Sequence, residues 1–301
     1  MTPNTAAIRI ENRYNGPPGS ANGGYICGRM AEHTGAQCVE TRLMAPPPLD
    51  TDLPLRLDNA QWFALHDDQP VARARQASLP DMTVPAPATL AEARAAETRL
   101  SGFVDHPFPG CYVCGPDRDD GLRLFPGWLD DRRAVACPWT PAASHGDDQG
   151  RVTLPQVYAA LDCPGSFTLE KDPDTWVVLG RFTVQVDALP DVGETYVVSG
   201  WPLGRDGRKH FAGTAVHDAA GRCLARAHAV WVQIPAGSRC RRPRGSALYC
   251  LRIIPRELSN ASLTQPALDR RARPVAGRVR VAGGDRPPRR HRFHPVPQLR
   301  H

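Results

Sequence analysis

Apolar and polar positions follow one order twice along this chain. The stretch Ser20-Ala21-Asn22-Gly23-Gly24 leads into a helical run over 25–32, and much later 154–163 forms a second run that stops at Pro164-Gly165. Strand-type segments follow each helix. Behind the first come 38–43, 53–57, 62–65 and 71–78, preceded by a loosely alternating stretch over 8–13. Behind the second come 181–186, 195–201, 210–217 and 223–234, with a hairpin signal at Arg205-Asp206-Gly207-Arg208 and a turn over 218–221. The last strand of each set ends in matching text, Ala72-Arg73-Ala74-Arg75-Gln76-Ala77 and Ala225-Arg226-Ala227-His228-Ala229-Val230-Trp231. Two copies of a helix-plus-meander unit suggest two half-sheets that pack as an internal dimer with a site between them.

Within the second copy, period-two alternation puts Phe182, Val184 and Val186 on one face and Arg181, Thr183 and Gln185 on the other, which predicts a half-buried strand. A Pro-rich connector over 81–88 and an Ala/Glu/Arg-rich helix over 89–100, capped by Thr89, lie between the copies. The expected domains are therefore a first unit over 1–80, a linker with a helix over 81–106, a second unit over 107–235, and a tail over 236–301. In the tail, periodicity gives way to Arg/Pro text, which predicts disorder because little apolar surface is available to offset chain entropy. A nucleic-acid- or membrane-binding tail, a dispensable extension and a shifted reading frame all fit that composition.

Charge changes the picture only when it is divided. The tail holds 16 Arg, no Lys and three acids, a net of +13, whereas residues 1–235 carry −7. The net +6 of the whole chain thus says little about the body, which shows no basic stripe for a nucleic acid. The 301 residues accommodate two ordinary cores. No apolar run approaches the length of a membrane span and no leader pattern opens the chain, so the expectation is a cytoplasmic protein. Nine cysteines without regular spacing read as reduced thiols, not as a disulfide framework.

A helix opened by the Gly pair in Asn22-Gly23-Gly24-Tyr25 and wrapped by an antiparallel meander resembles the hotdog fold of acyl-CoA thioesterases, and two copies resemble a double hotdog. The second helix, Ala159-Ala160-Leu161-Asp162-Cys163-Pro164-Gly165, is similar to that of thioesterases related to phenylacetate-pathway enzymes. The resemblance covers about residues 5–235. It implies an α+β fold with two central helices, each wrapped by an antiparallel sheet, and hydrolysis or binding of an acyl-CoA or related thioester without a cofactor. A homodimer is compatible with it. The family has His-Gly-Gly where this chain has Asn22-Gly23-Gly24, and its carboxylate aligns with Glu32 in the first unit and Asp162 in the second.

The chemistry of these residues fits that implication. A helix N-terminus presents unpaired N–H groups and partial positive charge, so Gly24 or Tyr25 N–H is the expected carbonyl-polarising donor, with Gly23 allowing close approach. Asp162 is the candidate base or nucleophile, read against a solvated or backbone-satisfied carboxylate, and Glu32 the second carboxylate, read against a solvated helix end. Asn22 is a helix cap or a donor to the carbonyl. Cys111-Tyr112-Val113-Cys114 is half of a structural zinc set, and His106, Cys137 and His145 are available, but no second CxxC or spaced His pair completes it. No metal is therefore assigned, and the expected role of the segment is a tight turn opening the second unit.

Overall fold

The computed structural model describes residues 6–100 and 106–236. Its strands are β1 (Ala7–Arg9), β2 (Cys38–Leu43), β3 (Asp52–Asp58), β4 (Gln61–His66), β5 (Gln69–Gln76), β6 (Gly127–Trp128), β7 (Val135–Trp139), β8 (Thr175–Val186), β9 (Tyr196–Asp206), β10 (Lys209–His217) and β11 (Cys223–Pro235). Its α-helices are α1 (Gly23–Glu32), α2 (Leu90–Glu97) and α3 (Leu154–Ser166). The strands form one antiparallel sheet in the order β1-β3-β4-β5-β2-β8-β11-β10-β9-β7-β6. Apart from the short β6, that order reads alike from either side of the β2–β8 junction. Cys38–Arg42 pair there with Gln185–Arg181.

The two long helices pack on each other, α1 also against β5, β2 and β8, and α3 against β10, β9, β11 and β8. Small residues make the approach possible. Ala72 and Ala74 of β5 and Ala225, Ala227 and Ala229 of β11 are fully buried, so the repeated Ala text marks where the sheet meets its helices. Between the helices, a Cβ on Gly24 would lie 2.5 Å from Tyr158 O, and one on Gly28 2.5 Å from Pro155 Cα. Glycine is thus required by contact at both positions and not by backbone conformation. Tyr158, Phe182, Ile26, Met30 and Leu161 fill the rest of this layer, each fully buried and worth about 1.5–3 kcal/mol of apolar transfer.

Three expectations need correction. Helix α3 does not stop at Pro164 but runs to Ser166. Proline removes the N–H that would serve Ala160 O, while hydroxyls bind other carbonyls of the last turns: Thr214 Oγ1 donates to Leu161 O at 2.7 Å and Ser166 Oγ to Cys163 O at 2.8 Å. Strand β8 keeps the expected alternation, with Phe182 and Val184 buried and Arg181 and Gln185 partly exposed, except at Thr183, which is only 1% exposed. Thr183 lies in mid-sheet opposite Glu40 and His228, and the Arg181–Glu40 ion pair at 3.7 Å spans the same face. The alternating stretch 8–13 yields only the short β1, followed by a 3-10 turn over Asn12–Tyr14.

Helix α2 follows the expected position, starting behind a Thr89 cap with a reciprocal Glu92 contact. It packs on β6, β7 and β9, where Ala93 and Ala96 meet Ala134, Ala136, Val197 and Trp201 in a second, smaller core. Among the described residues, no helix is long and apolar enough to cross a membrane. The expectations for the tail concern residues outside the described ones from 237 onward.

Candidate functional site

Helix α1 starts at Asn22, whose extended backbone and side chain form its cap: Asn22 Oδ1 accepts from Tyr25 N–H at 2.9 Å. The amide of the same side chain donates to Asp162 Oδ2, also at 2.9 Å. Gly24 N–H donates to that same carboxylate oxygen at 2.9 Å. A carboxylate from α3 is therefore clamped on the positive end of α1 by two N–H donors. Asp162 is 2% exposed, and its second oxygen, Oδ1, is buried without a hydrogen-bond partner. Burial pushes its carboxyl up to about 7, the Cys111 sulphur adds to that, and the Gly24 and Asn22 donors work against it.

Asn22, Gly24, Tyr25 and Asp162 thus meet at one place, with Gly23 beside them and half-exposed. Gly23 N–H is engaged by neither Asn22 nor Asp162. Glu32 does not join them. It stands at the opposite end of the helix, paired with Arg29 at 2.9 Å, roughly 13 Å along the axis at about 1.5 Å per residue. The two amides expected to polarise a carbonyl are also occupied, Gly24 N–H by Asp162 and Tyr25 N–H by Asn22.

The surroundings add residues that the sequence did not point to. Tyr14 stacks on Tyr25 with ring centroids 3.9 Å apart, and Tyr112 meets both rings edge-on. Tyr112 OH donates to Gln156 Oε1 of α3 at 2.6 Å. Burial holds the hydroxyls of Tyr25 and Tyr112 well above the usual phenol range, so both stay protonated. Asn22 Nδ2 lies 4.0 Å from the sulphurs of both Cys111 and Cys163, so the clamp touches a group of thiols.

That group is Cys111, Cys114 and Cys163, all buried, with sulphurs within 4.8 Å of one another. Of the candidates for completing the CxxC, His106 comes close, its Nε2 3.2 Å from Cys114 Sγ. Cys137 lies in β7 and His145 in a 3-10 turn, and none of the three candidates belongs to the group of mutually close ligand atoms. The residue that does complete three thiols, Cys163, is 52 positions from Cys111 and directly follows Asp162. A cysteine on a buried helix next to the candidate acid was the signal available in the sequence. A separate surface hollow of about 430 Å³, lined by Cys38, Leu79, Met82, Gln185 and Arg226 among others, shares no residue with this site.

No family model matches the sequence. No curated protein matches it either. Solved structures do resemble it. The TesB protein of Mycobacterium avium subsp. paratuberculosis is 12% identical, with 76% of this chain and 92% of that one covered and a TM-score of 0.49. A conserved protein of unknown function with a hot dog fold from Alicyclobacillus acidocaldarius is 12% identical over 75% of this chain and 92% of its own, at a TM-score of 0.48. Zebrafish thioesterase superfamily member 2 is 12% identical over 48% and 97%, at 0.35. The chain is thus similar to proteins described by the hotdog fold and the thioesterase superfamily.

Proposed function

We propose that the protein is a double hotdog, with units over 1–80 and 107–235 joined through 81–106, that handles an acyl thioester at the N-terminus of α1. One observation carries this reading: a buried carboxylate from one half, Asp162, is held against the glycine-opened helix N-terminus of the other, with Oδ1 left over. Buried carboxylates with an unused acceptor are rare outside sites that receive a ligand or water. In the hydrolytic step, Oδ1 takes a proton from a water whose oxygen attacks the thioester carbon. The C–S bond then breaks and the departing thiolate recovers the proton. Gly23 N–H and the helix dipole supply positive potential to the carbonyl oxygen, and Gly24 and Asn22 keep the carboxylate oriented.

A second reading, binding of the thioester or another apolar ligand without cleavage, is favoured by the occupied Gly24 and Tyr25 amides. One experiment separates the two: thiol release from short, long and aromatic acyl-CoAs by the full chain and by Asp162→Asn, with circular dichroism to confirm folding of both. Release that falls by about 100-fold or more in the variant supports Asp162 as the base. Equal release in the folded variant refutes that assignment. No release by either protein, with saturable acyl-CoA binding, supports the binding reading, and neither release nor binding refutes both.

A further inference from the structure

The thiol group beside the site has the geometry of ligands and not of packing. A tetrahedral ion about 2.3 Å from each sulphur sets neighbouring sulphurs about 3.8 Å apart. Cys111 Sγ and Cys163 Sγ stand 3.8 Å apart, and Cys114 Sγ is within 4.8 Å of both. A nitrogen about 2.0–2.1 Å from the same ion would lie about 3.6 Å from each sulphur. His106 Nε2 is 3.2 Å from Cys114 Sγ but stands outside the group of three sulphurs, so the ring must swing toward Cys111 and Cys163 to take the fourth position.

The surrounding donors point the same way. Buried neutral thiols pack as small apolar groups and do not call for N–H donors, whereas thiolates do. Here Asn22 Nδ2 stands 4.0 Å from both Cys111 Sγ and Cys163 Sγ, a donor turned toward two sulphurs at once. The chain turns tightly to present the first two sulphurs: Gly115 N–H donates to Cys111 O at 2.8 Å, and a Cβ on Gly115 would lie 2.4 Å from Pro109 O and 2.5 Å from Cys111 N. The turn is fixed to its neighbours as well, since Tyr112 N–H donates to Asn15 O at 2.8 Å and Asn15 Nδ2 to Gly110 O at 3.0 Å. All seven cysteines among the described residues are free.

We propose that Cys111, Cys114 and Cys163, with His106 Nε2 swung in as the fourth ligand, hold a zinc-class divalent cation that ties the 108–117 turn to α3 beside the N-terminus of α1. The donor set of three soft sulphurs and one imidazole selects zinc over magnesium or calcium. A closed tetrahedron makes the role structural. Loading releases the three thiol protons. As the side chains stand, His106 Nδ1 accepts from Phe108 N–H at 3.0 Å, which puts the ring proton on Nε2. Ligation through Nε2 requires that proton on Nδ1, so the contact from Phe108 N–H is one that the site gives up when loaded. The inference does not depend on thioester chemistry.

The full chain, produced without a polyhistidine tag, is the material for the test. About one equivalent of zinc per chain is expected after dialysis, and cobalt exchange should give sulphur-to-cobalt charge-transfer bands and intense tetrahedral d–d bands. Cys111→Ser and Cys163→Ser should lose the metal, while Cys27→Ser and Cys137→Ser, buried thiols outside the group, should retain it. His106→Ala, which removes one of four ligands, should bind the metal measurably more weakly while the three cysteines still hold it. The cobalt spectrum of the unmutated chain decides even where a cysteine variant fails to fold. A purified chain that neither contains nor takes up zinc or cobalt overturns the site, as does a Cys111–Cys163 disulfide. Unchanged affinity in folded His106→Ala overturns the fourth ligand.

Discussion

The two halves of the sheet carry equivalent strands but unequal helix ends. Helix α1 opens with Asn22-Gly23-Gly24 and a side-chain cap, whereas α3 opens with Thr153 and no side-chain cap, and has Pro155 in its first turn. Counted from the first residue of each helix, Asp162 falls where α1 has the buried Ala31. One half supplies donors and the other a carboxylate, so the chain builds one clamp where a symmetric pair would build two. The outer faces differ too. In the matched Ala text, Arg75 of β5 is 46% exposed and paired with Glu40, while His228 of β11 is 1% exposed. Asymmetry therefore concentrates at the site and on the face that α2 and its preceding segment cover on one side alone.

Gly24→Ala strikes this comparison hardest. The added methyl meets Tyr158 O at 2.5 Å and Asp162 Cβ at 2.6 Å, both on a packed helix. A loss of about 3 kcal/mol or more is expected, read as a fall in the denaturation midpoint, because the contact atoms cannot swing away. Asp162→Ala comes next, at about 2–3 kcal/mol, since it strands Asn22 Nδ2 and Gly24 N–H in the interior. Ala31→Ser, at the matching position of the other helix, is expected to cost less than Asp162→Ala. An equal or larger loss would mean that the two helix interiors are equally demanding.

The outer faces give a prediction in pH. Burial, aided by Arg181, lowers the His228 pKa from 6.5 to about 4. The unfolded chain then binds the proton more readily than the folded one, so this stability is fully present above about pH 6.5 and is lost as pH falls towards 4. His228→Gln should flatten the pH dependence of the denaturation midpoint across that window, with an effect on the order of 1–3 kcal/mol. Arg75→Ala, the matching change in the other half, should alter stability by about 1 kcal/mol or less, because Arg75 is itself 46% exposed and the largely buried Glu40 keeps Arg181 as a partner at 3.7 Å.

What was legible in the sequence follows the range of the interactions. Helix α1, β2 and the hairpin at Asp206-Gly207 are set by local signals: a cap with two glycines, alternation, and a turn dipeptide. The matching Ala text could be read because small residues must recur wherever a helix lies close on a sheet. The continuation of α3 past Pro164 could not, since the last turns pack into the sheet, where Thr214, 53 positions away, donates to Leu161 O. Cys163 was hidden from the CxxC for the same reason. At the site, Asn22, Gly24 and Asp162 were readable as types, yet their mutual hydrogen bonds reverse the expected availability of the α1 amides. That outcome depends on how closely two helices approach, which the Gly24 and Gly28 contacts set and no local pattern encodes.

The β2–β8 ladder joins halves that belong to the same chain. Two separate subunits pairing through such strands would share their stability with mass action, so dilution alone would part them and any substitution would appear on both sides at once. A tethered pair escapes both constraints. This junction should hold at any protein concentration, and each half is free to accumulate changes independently of the other: one helix can keep a capped, glycine-opened end while its counterpart gives up glycine for proline and takes on the acid.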